Sequence, residues 1–327
     1  MRIDIPSSLM VKLLSRLLLV IPTCLCVVVI GSLEPVLSQS SPGSLILVPR
    51  NAVAVAKLDW NVVGRDPHFR TMLNGEQFDR ALSQLRIKGS DISEIVVFTG
   101  VNTATTGTLA GIFRGAFNSQ AVTAELRSQN LTETVYRGRT TFFNASDQSY
   151  TAILRSGLLV VGTERGVRSV IDTELNPRSG LLLRPPFNTV LSTLKTSRHP
   201  ISFMMGIPGE YRSIADVATR VVSAMFSIAG LGPVGFVLNK IGFPYTLGFS
   251  IARSGSSFPI LLLAQMKDST SASLISGTLN VMQGFNLGML SDQMSSTDRE
   301  MLKNLSVSRT GALLSIRMVV REQDLPR

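Results

Sequence analysis

The sequence predicts an α+β protein built from two ferredoxin-like βαββαβ units with mainly antiparallel sheets, after an N-terminal signal segment. Three observations lead there. Arg2, Lys12 and Arg16 precede an uncharged, mostly apolar run from Leu17 to Leu33. Beyond it, periodicities follow the order strand, helix, strand, strand, helix, strand, and that order restarts near residue 200. A shift of about 151 residues lays Pro49 on Pro200 and aligns the first strands and both central strand pairs.

The apolar run ends at Glu34 and Pro35, and Ser38 with Val36 two places earlier suits signal-peptidase cleavage before Gln39. Membrane anchoring by an uncleaved run is the alternative, since residues 17–33 just reach the lower limit for a span. Cys24 and Cys26, the two cysteines of the chain, both lie inside this segment. The cleaved protein is therefore expected to have no disulfide, no thiolate metal site and no cysteine nucleophile. The expected order is a signal peptide at 1–38, a short linker at 39–48, a first unit at 49–182 with an antiparallel extension, a junction with a short helix at 183–199, and a second unit at 200–327.

In the first unit, Ala52 to Leu58 alternates small apolar residues and reads as a strand. Asp66-Pro67 supplies an N-cap before proline at the first helical position, and Phe78, Ala81, Leu82 and Leu85 keep helical spacing. Strands follow at Glu94–Gly100 and Gly107–Arg114, and Asn118 caps a helix through Gln129. Short strands at Thr132–Tyr136 and Thr140–Asn144 turn at Gly138, and Tyr150–Arg155 pairs with Leu158–Gly162. Thr163 caps a helix whose Val167, Val170, Ile171 and Leu175 share one face. In the second unit Ile201–Ile207 is a strand, the chain from Tyr211 is helical, and Tyr245–Arg253 forms a hairpin with Phe258–Met266. Asp268 to Thr270 cap a helix running to about Leu290, and Leu305–Arg309 pairs with Ala312–Val320.

Several of these stretches, notably Val48-Pro49-Arg50-Asn51-Ala52, Gly64 to Arg70, Tyr136-Arg137-Gly138-Arg139 and Leu158 to Gly162, resemble a family of exported bacterial proteins of unknown function. In the second half, Tyr245 to Met266 with Lys267-Asp268 is similar to its hairpin and helix entry. The resemblance implies exported α+β modules and carries no catalytic residues.

Gly230-Leu231-Gly232-Pro233-Val234-Gly235 fits G-x-G-x-x-G, but it follows a helical stripe from Tyr211 to Ala229 rather than a strand. No acidic residue lies between Asp216 and Asp268 to hold a ribose, so a nucleotide is not expected. Val221 to Leu238 is uncharged, yet its glycines and Pro233 interrupt it as a membrane helix. His68 and His199 have no partner at a recognisable spacing and read as surface or boundary residues. Asp59 and Glu94 sit where strands end and begin; they can meet across a sheet, and solvated strand boundaries are the expectation.

No catalytic, cofactor-binding or metal-ligating residue is therefore assigned, and no cofactor is expected. The net charge of +10 on 327 residues invites polyanions, but no basic run interleaved with aromatics appears, which argues against nucleic acid. The expected function is a non-enzymatic interaction or structural module of the cell envelope, periplasmic or extracellular, with an unknown protein or envelope component as partner. Two alternatives stand beside it: a peripheral binder of anionic lipid or polymer, and an enzyme whose carboxylate site is assembled only by the fold.

Overall fold

The structure, a computed structural model, describes residues 43–100, 107–181, 187–197, 199–206, 244–289 and 305–321. Contacts divide the chain after Arg184 into two compact units. The signal segment, the helical stripe expected from Tyr211 to Ala229, the glycine motif at 230–235 and the uncharged stretch 221–238 lie outside the described residues. Among the described residues, no helix is long and apolar enough to cross a membrane.

The first unit begins with a 3₁₀ turn, Gly43–Leu47, and continues with β1 (Ala52–Asp59), α1 (Trp60–Val63), α2 (Pro67–Met72) and α3 (Gly75–Ser83). Next come β2 (Ile92–Gly100), β3 (Thr108–Gly115) and α4 (Ser119–Ser128), followed by four short strands. These are β4 (Thr132–Tyr136), β5 (Arg139–Asn144), β6 (Ser149–Arg155) and β7 (Leu158–Gly162), after which α5 (Glu164–Leu175) closes the unit. Side-chain oxygens start the helices as the sequence predicts. Asp66 accepts from the His68 and Phe69 N–H groups, and Asn118 accepts from those of Gln120 and Ala121. The helical spacing from Phe69 to Leu85 is split between α2 and α3, because Asn74 takes the left-handed conformation (φ 53°) between them.

The strand order in this unit is β1-β2-β3-β7-β6-β5-β4, and every neighbouring pair is antiparallel. This corrects the ferredoxin-like expectation, in which the first and second strands run parallel with the third inserted between them. A helical connection is long enough for a parallel crossover, but it does not impose one. Here α1 to α3 return the chain so that β2 runs back along β1, with Val55 opposite Phe98 and Leu58 opposite Ile95.

Helices cover both faces of the sheet. Phe78 of α3 stacks on Phe113 of β3 with ring centroids 6.1 Å apart and meets Trp60 of α1 at 4.5 Å. Gly166 of α5 stands against Ala110, three positions from Phe113 and so on the opposite face. Val167, Val170 and Ile171 of α5 are buried against β3, β6 and β7, whereas Leu175, expected on the same face, is 50% exposed. Leu175 is the last residue of the helix, just before a 3₁₀ turn at Pro177–Ser179. Leu45, Leu47 and Val48 are also buried, so 43–48 belongs to the packed unit and not to the expected linker.

The second unit contains α6 (Phe187–Ser197), β8 (Ile201–Gly206), β9 (Thr246–Ile251) and β10 (Ser257–Gln265). It ends with α7 (Ser269–Met289), β11 (Ser306–Thr310) and β12 (Leu313–Arg321). Its order is β8-β9-β10-β12-β11, again antiparallel throughout. Phe187, Val190, Leu191 and Leu194 of α6 are buried, and the helix packs on β8, β9 and β10. Asp268 Oδ1 accepts from the Ser271 N–H at 2.7 Å and starts α7. In each unit the third strand takes the last strand as its second neighbour, β3 with β7 and β10 with β12. The strand that leaves the intervening helix, β4 or β11, is thereby displaced to the outside.

Thr163 joins α5 to the sheet. Its N–H donates to the Leu109 carbonyl at 2.9 Å, and its Oγ1 lies 3.2 Å from both the Gly166 and the Leu109 N–H groups. Thr163→Ala is expected to cost about 1–2 kcal/mol, read as a lowered urea midpoint with an unchanged m-value.

Candidate functional site

Pairing of β1 with β2 and of β2 with β3 sets Asp59 opposite Glu94 and Glu94 opposite Arg114. The juxtaposition that the sequence left open, Asp59 against Glu94 across the sheet, is thus present in the register, with Lys57 two positions along β1 on the same face. The Glu94 side chain is only 11% exposed, which corrects its reading as a solvated strand boundary. Oε2 accepts from the Ser44 N–H at 3.0 Å and from the Ser44 hydroxyl at 3.1 Å. Lys57 Nζ lies 3.6 Å from Oε1 and Arg114 Nη1 3.9 Å from Oε2. A Cβ placed on Gly43 would stand 2.6 Å from both carboxylate oxygens, so the backbone of the 3₁₀ turn lies directly over the acid. Gly43 also has φ 55°, which a side chain tolerates poorly.

Paired carboxylates in an open cleft can divide acid and base roles. Here the turn covers one of them, and its hydrogen bonds fasten the start of the unit to β2. Sequence reasoning missed Ser44, Lys57 and Arg114 as partners; the apolar run Leu45-Ile46-Leu47-Val48 beside Ser44 was the available signal that this segment packs.

His68 and His199 are not brought together. His68 is exposed in the first turn of α2, where its N–H meets the Asp66 cap. His199 is partly buried, and its Nδ1 lies 2.9 Å from the Ser250 hydroxyl. A serine beside an imidazole is the core of a nucleophilic dyad. Ser250, however, is fully buried in β9, an interior strand of the second unit, between Ser202 and Leu261, and presents no hydroxyl to a substrate. Burial pushes the His199 imidazole below its ordinary value, opposed by a hydrogen bond with Ser250 and reinforced by the Arg317 charge.

A third cluster joins the β4–β5 hairpin to α5. The Tyr136 hydroxyl donates to the Asp172 carboxylate at 3.1 Å, and the Arg168 guanidinium lies over the Tyr136 ring, 4.8 Å from its centroid. Arg137 Nε lies 2.8 Å from Asp172, and Arg139 Nη2 lies 3.0 Å from Glu174. Arg70, Arg86 and Arg127 hold Asp79, Glu125 and Glu133 in the same way. Much of the arginine content of this unit thus pairs with nearby carboxylates. Among the described residues, no group of three or more His, Cys, Asp or Glu is placed to hold a metal ion.

What the polar groups leave open is the sheet edges. β4 pairs only with β5, and Thr132, Glu133, Thr134 and Val135 are all exposed, Val135 at 72%. Its hairpin turns through Arg137 (φ 47°) and Gly138 (φ 78°), the two positive φ angles of a two-residue type I′ loop closed by Tyr136 and Arg139. β11 pairs only with β12, turning at Gly311-Ala312 between Thr310 and Leu313, and Ser308, Arg309 and Thr310 are exposed.

The fold defines an antiparallel α+β protein of two units, each ending in an exposed edge strand. Among solved structures it is similar to three crystal forms of TP0453. Form III matches at 12% identity and TM-score 0.43, covering 90% of this chain and 96% of that one. Form I matches at 13% and 0.45, covering 88% and 95%, and form IV at 12% and 0.45, covering 86% and 97%. No family model matches the sequence, and no curated protein matches it.

Two outcomes test these roles. Glu94→Ala strands the Ser44 donors and is expected to cost about 2–3 kcal/mol, with loss of amide protection at residues 44–48 by hydrogen exchange. Because the folded pKa of His199 is depressed, the unfolded chain binds the extra proton first. Its stabilising contribution is full above the ordinary value of 6.5 and is lost as pH falls below it. The urea midpoint should therefore drop between about pH 7 and pH 5, and His199→Gln should flatten that slope.

Proposed function

We propose that this chain is an exported protein of the cell envelope that works as an interaction module, assembled from two copies of one antiparallel α+β unit. The observation that carries the reading is the exposed edge strand of each unit's sheet, β4 in the first and β11 in the second. An unpaired edge is a row of backbone donors and acceptors that an extended segment can complete. The candidates for chemistry point the same way. Glu94 lies beneath the 3₁₀ turn, and Ser250 lies in an interior strand. The shared strand order, with the last strand beside the third in each unit, supports duplication, and the charged and apolar order of residues 1–38 supports export.

In the native host, the mature chain is expected to begin near Gln39 by intact mass. A photo-crosslinking residue at Val135 is expected to yield a protein adduct in the envelope fraction, which the same residue at buried Val161 does not. Cytoplasmic recovery with residues 1–38 retained, or no adduct at Val135, would overturn the reading.

A further inference from the structure

We propose that the partner of these edges is a second copy of the same chain, β4 of one molecule pairing antiparallel with β11 of the next. This rests on the interaction-module reading and names its partner. In a two-residue hairpin the loop-closing residues bond to each other, and inward and outward backbone groups alternate from there. Tyr136, Thr134 and Thr132 therefore direct their backbone groups at β5, and Glu133 and Val135 turn theirs outward. By the same alternation from the Thr310–Leu313 closing pair, Val307 and Arg309 are the outward residues of β11.

One antiparallel register matches the two edges at every position. It sets Glu133 opposite Arg309 and Val135 opposite Val307, so the outward backbone groups of both strands face each other. Thr132, Thr134 and Tyr136 then fall opposite Thr310, Ser308 and Ser306, a ladder of hydroxyl-bearing residues with high strand preference on the β4 side. The charge match is specific to this pairing. Arg309 is exposed and has no ion-pair partner among the described residues. Glu133 is held by Arg127 through both oxygens, at 2.9 and 3.0 Å, and each oxygen keeps a lone pair for a second donor. Pairing β4 with another β4 centres on Thr134 and sets Glu133 opposite Val135, leaving the acid unmatched; pairing β11 with itself sets Arg309 opposite Val307. The strands are short, so the contact is weak and depends on concentration. It is also heterologous: each molecule offers one donor edge of each kind.

The experiment is light scattering after size-exclusion chromatography on the chain from Gln39, over a concentration series. Val135→Pro and Val307→Pro each remove an outward N–H and leave the inner ladder intact, and circular dichroism checks the fold. Wild type should associate beyond a dimer, and each variant alone should be monomeric. An equimolar mixture of the two should stop at a dimer, because each supplies the edge that the other lacks. Arg309→Glu, which leaves the backbone untouched and sets like charges opposite, should weaken association at least tenfold. A wild type that stays monomeric throughout overturns the proposal, as does association of either proline variant alone, which indicates like-with-like pairing. An envelope adduct at Val135 that contains a different protein also overturns it, while leaving the interaction-module reading standing.

Discussion

Each sheet is organised by the need to fill the second edge of its third strand. β3 and β10 both lie inside their units, with one side taken by the preceding hairpin partner. The final strand fills the other side in both cases, Phe113 opposite Leu159 and Leu263 opposite Ser315. With that place taken, the strand emerging from the helix, β4 or β11, pairs outside its successor. Antiparallel neighbours throughout, the absence of a parallel crossover among the described residues, and exposed strands at β4 and β11 all follow from this one arrangement. Backbone groups on an edge must meet water or another strand, and the fold leaves that choice to its outermost strands.

The polar side chains show the same division between interior and rim. Glu94 sits beneath the turn that its hydrogen bonds hold, so its charge serves closure of the unit. His199 braces Ser250 from the edge of a buried ladder, and a neutral imidazole suits that position because charging it there opposes burial. Tyr136 and the arginines around it fasten the β4–β5 hairpin to α5, so the edge strand is exposed yet anchored. An anchored edge loses less freedom on binding than a loose one.

Local structure was largely legible in the sequence, because its signals are local. Asp66-Pro67 and Asn118 cap helices where their side chains and neighbours require it, and Arg137-Gly138 forms the turn that the flanking alternation leaves room for. Pairing was not legible. Strand, helix, strand describes a parallel crossover and a broad antiparallel return equally well, and only the packing of α1 to α3 decides between them. The Asp59–Glu94 juxtaposition was visible, but its burial was not, because burial depends on a segment that the Ser/Gly/Pro composition of residues 38–44 disguises as a linker. Leu175 shows the converse: its spacing is right for the buried stripe, but the helix stops there.

The late arrival of the last strand also sets an order of events as the chain folds. The β2–β3 and β9–β10 hairpins close between near neighbours in sequence, whereas Ile112 waits for Val160 and Leu262 for Ile316. Non-local closure of this kind is slow, because the entropy of the intervening loop is lost before the contacts form. During that interval β3 and β10, apolar interior strands, stand with one side open. The greatest exposure to wrong partners therefore falls on a transient species in each unit, and lasts until the final hairpin slots into place.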